Sequence, residues 1–141
     1  HLIAELAAAY GSQCIVAAID TGTEAGEWLV YLNGGRTRTQ TVCIDWAREV
    51  VKRGAGEILL TSMNHDGTKQ GFAVELTRSV STSVHVPVIA SGGGGTMEHF
   101  AEVFDVGNAD AALAASVFHF GEIPIPKLKE YLRERNIAVR V

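Results

Sequence analysis

Apolar and polar positions along this chain alternate in two rhythms. Short, nearly unbroken apolar runs occupy residues 13–19 (QCIVAAI), 57–61 (EILLT), 86–90 (VPVIA) and 110–115 (DAALAA). Such runs are the pattern of strands buried on both faces of a parallel sheet. Between them, apolar residues recur three and four apart, as on one side of a helix. In 42–53, Val42, Trp46, Val50 and Val51 share a side, with Asp45, Arg48, Glu49 and Lys52 turned away and Gly54 as the stop. In 72–81 the inward positions are Val74, Leu76 and Val80, and in 126–135 they are Leu128 and Leu132. Residues 97–104 are spaced the same way. Residues 1–10 (HLIAELAAAY) form an alanine-rich helix closed by Gly11, which reads as the remnant of a preceding element, and 137–141 reads as a short terminal strand.

One segment breaks the alternation. Within 21–40, residues 27–32 (EWLVYL) alternate, Asn33-Gly34-Gly35 turns, and 36–39 (RTRT) returns, which is a hairpin signature. The first strand is taken to end on Asp20, with the hairpin inserted in the loop that follows it, as a wall or lid over the strand ends. The four strands then begin near 13, 57, 86 and 110. The later spacings suit single right-handed βα units of roughly 30 residues, and the long first one is explained by the hairpin. Four βα units with uniformly apolar strands predict an α/β fold, half of a (βα)8 TIM barrel, as a single domain whose four units span 13–141.

Composition changes this picture little. At 141 residues, 47% hydrophobic and 20% charged, the chain has mass enough for one core. A net charge of −4 argues against nucleic acid or an anionic membrane as partner. The longest apolar run, 111–118, is too short for a bilayer and no signal peptide is visible, so the expected compartment is the cytoplasm. Cys14, in the first strand, and Cys43, opening a helix, read as two reduced core thiols. The five histidines show no metal-ligand spacing, and no metal is expected.

The candidate chemistry lies where strands end. After the third strand come Ser91, Gly92, Gly93, Gly94, Gly95 and Thr96, followed at once by a helix. Bare backbone N–H groups beside a helix start form a phosphate seat. A glycine-rich turn without a ligand shows the same residues. Ser116, at the end of the next strand, supplies a second backbone wall. Asp20 stands where α/β folds place their chemistry, and an Asp that simply starts a turn stands there too. Asp66-Gly67-Thr68 admits the same two readings, an anion-binding turn or a plain Asp-Gly turn.

These blocks together resemble the cyclase subunit of imidazole glycerol phosphate synthase, a (βα)8 barrel of histidine biosynthesis, in its C-terminal half. The resemblance is carried by 11–13 (GSQ), 16–20 (VAAID), 45–47 (DWA), 52–62 (KRGAGEILLTS), 64–69 (NHDGTK), 89–93 (IASGG), 97–100 (MEHF) and 111–119 (AALAASVFH), over essentially the whole chain. It implies a cyclase-lyase without cofactor that takes ammonia from a glutaminase subunit. It closes an imidazole ring on a bis-phosphorylated ribulosyl precursor and releases aminoimidazole carboxamide ribonucleotide. Carried over residue by residue, Asp20 becomes a general acid or base. Gly67, Ser91, Gly92, Gly93, Ala115 and Ser116 become the seat of one substrate phosphate, and Thr61 and Asp66 line the pocket. Glu57 joins an ammonia gate at the far end of its strand, although a strand-start carboxylate is ordinarily just solvated. Gly94 departs from the family's usual Ala, which should loosen the turn, and Asn64 from the Asp of some members. The first four βα units have no counterpart in this sequence, nor do the second catalytic aspartate and the second phosphate site. A half barrel exposes parallel strand edges and an apolar flank, so self-association or pairing with a separate N-terminal half is expected. The alternative is a phosphate-binding half barrel without activity.

Overall fold

The computed structural model describes residues 1–140. Its frame is set by what each strand turns toward its helices. In β1 (Val16–Glu24), β4 (Glu57–Ser62) and β5 (Val88–Ser91) the buried residues lie mainly on one face, and β6 (Ala111–Leu113) is at most half-buried. Ile19, Ile58, Leu60, Val88 and Ala90 are each at most 2% exposed. Against them pack α2 (Cys43–Lys52) and α3 (Val74–Ser81) through Val50, Leu76 and Val80. Further along, Phe100 and Val103 of α4 (Met97–Asp105), Val117 of α5 (Ser116–His119), and Leu128 and Leu132 of α6 (Ile125–Glu134) form a second cluster around Ala90.

β1, β4, β5 and β6 are parallel neighbours, joined by helical crossovers as in part of a (βα)8 barrel. The sheet continues past β1 into the antiparallel hairpin of β2 (Glu27–Leu32) and β3 (Thr37–Val42), in the order β3-β2-β1-β4-β5-β6. β1 bonds β4 from Val16 to Thr21 but bonds β2 only from Asp20 to Glu24. The hairpin therefore rises from the carboxyl end of β1. It leaves the first half of that strand's other edge bare.

Several expectations are corrected here. The strands are not buried on both faces: Val16 is 48% and Leu113 45% exposed on the face without helices. β1 does not end on Asp20, because pairing with β2 carries it on to Glu24. Gln13 and Cys14 are not strand residues. After α1 (Leu2–Tyr10), Gly11 at φ 86° turns the chain into a 3₁₀ turn over Ser12–Cys14, and Cys14 is exposed. In α2 the stripe against the sheet is Cys43, Ala47 and Val50, with Trp46 half-buried at its margin. Small residues let the helix axis approach the strands, and the bulky indole is displaced to the side. Thr77, rather than Val74, joins Leu76 and Val80 in the core, its hydroxyl donating to Ala73 O at 2.8 Å. Residues 137–140 form no strand; Ile137 and Val139 pack on the second cluster instead. Val141, the end of that expected strand, lies outside the described residues.

The two thiols are unlike each other. Cys43 is fully buried, and burial pushes its thiol up to about 11, against a smaller opposing pull from the Thr21 hydroxyl. Thiolate is the reactive form. At pH 8, a disulfide reagent such as dithionitrobenzoate is expected to modify one thiol, Cys14, promptly, and Cys43 only after urea unfolding.

Candidate phosphate site

The register of the parallel strands lays three polar side chains in one row. Asp20 pairs with Thr61, and Thr61 with Ser91. Paired residues of adjacent strands point to the same face, so Asp20, Thr61 and Ser91 stand side by side on the open face at the carboxyl end, about 5 Å apart per strand. All three are half-buried. Leu113 of β6 completes the row.

Beyond Ser91 the row runs into a cavity of about 250 Å³. Its lining includes Asp66, Gly67, Ser91, Gly92, Gly93, Ala115 and Ser116, all singled out from sequence, together with Gly94, Lys69, Leu113 and Ala114. Two glycines make it possible. Gly92 has φ 92°, and a Cβ there would lie 2.6 Å from Ser62 O; Gly93 has φ 103°, and a Cβ there would run into the Gly71 carbonyl. Gly71 N also donates to Gly93 O at 2.8 Å, which ties the glycine loop to the loop after β4. Three βα loops therefore meet around one space walled by backbone. Concave backbone of this kind is the type of surface that can hold an anion.

The helix start beside this space differs from the expected one. Gly95 N and Thr96 N both donate to His99 Nδ1 at 3.2 Å, so His99 caps α4, and the lining stops at Gly94. It is α5 that opens onto the cavity, through Ala115 and Ser116. The first N–H groups of a helix have no acceptor within it. At Gly94 the Phe72 ring occupies the space a Cβ would need, at 2.7 Å.

The loop after β4 is braced from several sides. Asp66 N donates to Ser62 O at 2.9 Å and Thr68 Oγ1 to His65 O at 2.7 Å. The Thr68 hydroxyl is thus spent inside its own turn, leaving Gly67, at φ 75°, and the Asp66 carboxylate for the cavity. The hairpin holds the same loop. Asn64 Oδ1 accepts from Thr23 N at 2.9 Å, and Trp28 stacks on His65 with centroids 6.4 Å apart. Asn64 is a brace in this structure, and the hairpin supports the loop after β4 without lining the cavity itself.

Glu57 sits apart from this site. It pairs with Val16 at the amino end of β4, four residues below Thr61 on the same face, or about 13 Å away. Lys69 was missed in the sequence. It lines the cavity and forms an ion pair with Glu122 at 2.6 Å, a partner far along the chain that no local pattern reveals. Among the described residues, no three His, Cys, Asp or Glu side chains gather as a metal site, and no helix is long and apolar enough to cross a membrane.

Parallel βα units with a backbone-walled cavity and a carboxylate in one row at the carboxyl ends of the strands define a barrel-type α/β unit with a candidate anion site. The chain belongs to the histidine biosynthesis protein family, whose pattern matches residues 1–124. It is 59% identical over 141 residues to imidazole glycerol phosphate synthase subunit HisF of Flavobacterium psychrophilum, covering all of this chain and 56% of that protein. With the HisF subunit of Cytophaga hutchinsonii it shares 58% identity over 139 residues, covering 99% and 55%. With that of Parabacteroides distasonis it shares 55% over 140 residues, covering 99% and 56%. The chain spans about half the length of these curated relatives.

Proposed function

We propose that this chain, a single unit corresponding to the C-terminal half of a (βα)8 barrel, supplies half of the cyclase site of imidazole glycerol phosphate synthase. The observation that carries the reading is the register row from Asp20 through Thr61 to Ser91, ending in the glycine-walled cavity. It aligns a proton-transfer group with an anion seat about two strand spacings, or roughly 10 Å, away. A sugar phosphate held in the cavity by the N–H groups around Gly67, Gly92, Gly93, Ala115 and Ser116 would extend its carbon chain along that row. Ser91 and Thr61 would flank it, and Asp66 would close the side toward the loop after β4.

Asp20 then acts on the reacting end. Addition of ammonia to a carbonyl carbon, loss of water and ring closure each require a proton to leave one atom and arrive at another. A carboxylate within hydrogen-bond reach accepts the proton released by the attacking nitrogen and returns it to the departing oxygen. The lyase step, which frees aminoimidazole carboxamide ribonucleotide, needs the same return of a proton to the leaving nitrogen. Glu57, on the same face at the opposite end of β4, would meet ammonia arriving from a glutaminase subunit docked at the amino ends of the strands.

The open face supports a further part of the reading. Val16 and Leu113 expose apolar surface there, and β6 presents a bare parallel edge. A second barrel half, either a separate N-terminal half or another copy of this chain, would cover both.

Titration of the ¹⁵N-labelled chain with glycerol 3-phosphate tests the seat. Amide shifts are expected at Gly67, Gly92, Gly93, Ala115 and Ser116, saturating together. Shifts confined to other loops, or none at millimolar ligand, would sink the reading.

A further inference from the structure

The cavity is walled almost entirely by backbone and small side chains, and Lys69 is the one cationic side chain in its lining. Its main chain is held firmly. Lys69 adopts φ 56°, and a Cβ on Gly95 would lie 2.6 Å from the Lys69 Cβ, so the glycine loop presses against it. The side chain then spans to Glu122, beyond α5. Nζ donates to Oε1 at 2.6 Å and to Oε2 at 2.8 Å. This contact to both carboxylate oxygens joins the loop after β4, which lines the cavity, to the segment after α5, which does not.

An ammonium has three N–H groups, and the two oxygens of one carboxylate lie too close together to occupy all of them, which leaves donor capacity on a residue that lines the cavity. Charge points the same way. A phosphoryl dianion entering the seat meets the Asp66 carboxylate in the lining, with Lys69 as the only lining cation to offset it. A lysine free in water spreads its ammonium over many rotamers, whereas one held by a carboxylate keeps its ammonium in place.

We infer that Lys69 is a side-chain ligand of the bound phosphoryl group and that Glu122 is the positioning residue that holds its ammonium at the mouth of the seat. The inference rests on the reading of the cavity as a phosphate site. It adds to the backbone cradle a charged contact that senses the dianion directly. An ion pair serving only as a strap would be indifferent to which partner carries which charge.

That difference is the test. Binding of glycerol 3-phosphate and of inorganic phosphate is measured by calorimetry for the 141-residue chain, for Lys69→Met, and for the exchanged pair Lys69→Glu with Glu122→Lys, with the melting temperature of each. Lys69→Met is expected to weaken binding about tenfold, the typical worth of one charge-assisted hydrogen bond. The exchanged pair is expected to regain the unmodified chain's melting temperature but not its binding, because it places a carboxylate where the ammonium stood. Binding restored by the exchanged pair, or unchanged in Lys69→Met, would show a strap and overturn the inference. Should Lys69→Met not fold, the exchanged pair, which keeps a salt bridge, decides alone. If the unmodified chain binds neither probe, the phosphate seat itself is refuted and the inference falls with it. Binding by the unmodified chain that is insensitive to both variants removes only the role of Lys69.

Discussion

In a barrel completed by an N-terminal half, replacing Asp20 by Asn is expected to lower ammonia-dependent cyclase turnover by about 10²- to 10⁴-fold, the usual worth of a positioned general acid or base. The amide keeps the size and shape of the carboxyl group but neither takes up nor returns a proton at neutral pH. The fold should tolerate the change. Asp20 is only half-buried on the open face, and its backbone pairs with Tyr31 on one side and Thr61 on the other regardless of the side chain. Because Asp20 lies about two strand spacings from Ser91, glycerol 3-phosphate binding should be unchanged in the variant. Loss of turnover with intact binding identifies a group acting at the reacting end of the substrate. An equal loss of both would instead mean that Asp20 shapes the seat.

The second large effect is expected from Gly92→Ala. A side chain at φ 92° is strained by about 1–3 kcal/mol, and the new Cβ would lie 2.6 Å from Ser62 O and 3.3 Å from Asp66 N. Both are backbone atoms and neither swings aside. The loop after β4 must shift, and that loop carries Asp66, Gly67 and Lys69, three of the residues lining the cavity. A stability loss of about 3 kcal/mol in urea unfolding, together with at least tenfold weaker phosphate binding, is the expected result. Gly26→Ala is the matched control. Its φ is 84°, close to that of Gly92, but a Cβ there has nothing within 4 Å. It should carry the backbone strain alone and leave phosphate binding untouched.

How far the sequence was legible follows from what decides each element. Ile58 and Leu60, Val88 and Ala90, and Leu128 and Leu132 are buried as their spacing predicts, because burial against a helix or sheet is what periodicity reports. The hairpin was legible from Asn33-Gly34-Gly35 between alternating runs, and Asn33, Gly34 and Gly35 indeed all have positive φ. The misses have one source, packing that comes from elsewhere in the chain. An unbroken apolar run reads as a strand buried on both faces, yet Val16 and Leu113 meet no layer on the open side. Trp46 outweighs Ala47 in any hydrophobic count, but the tight approach of α2 to the sheet selects Cys43 and Ala47. Ile137 and Val139 have high strand propensity, yet they form no ladder and pack on the second cluster instead.

The candidate site divides along the same line. Its glycines and small residues were legible because each sits directly after a strand, where the chain's order alone places it at the carboxyl end. The helix start at the cavity was assigned to α4 because Met97 follows the glycines. Only the structure shows His99 closing that helix and α5 opening onto the seat. Lys69 escaped notice because its partner, Glu122, lies 53 residues away.

Combining this chain with the N-terminal half of a HisF relative, and measuring ammonia-dependent conversion of the bis-phosphorylated ribulosyl precursor, tests the central claim most directly. Turnover is expected to appear in the mixture and to be absent from the N-terminal half by itself. Its release of aminoimidazole carboxamide ribonucleotide should depend on Asp20. A mixture that associates and binds glycerol 3-phosphate yet turns over no precursor, or turns it over equally well with Asn at position 20, would contradict the assignment of this chain as half of a cyclase site.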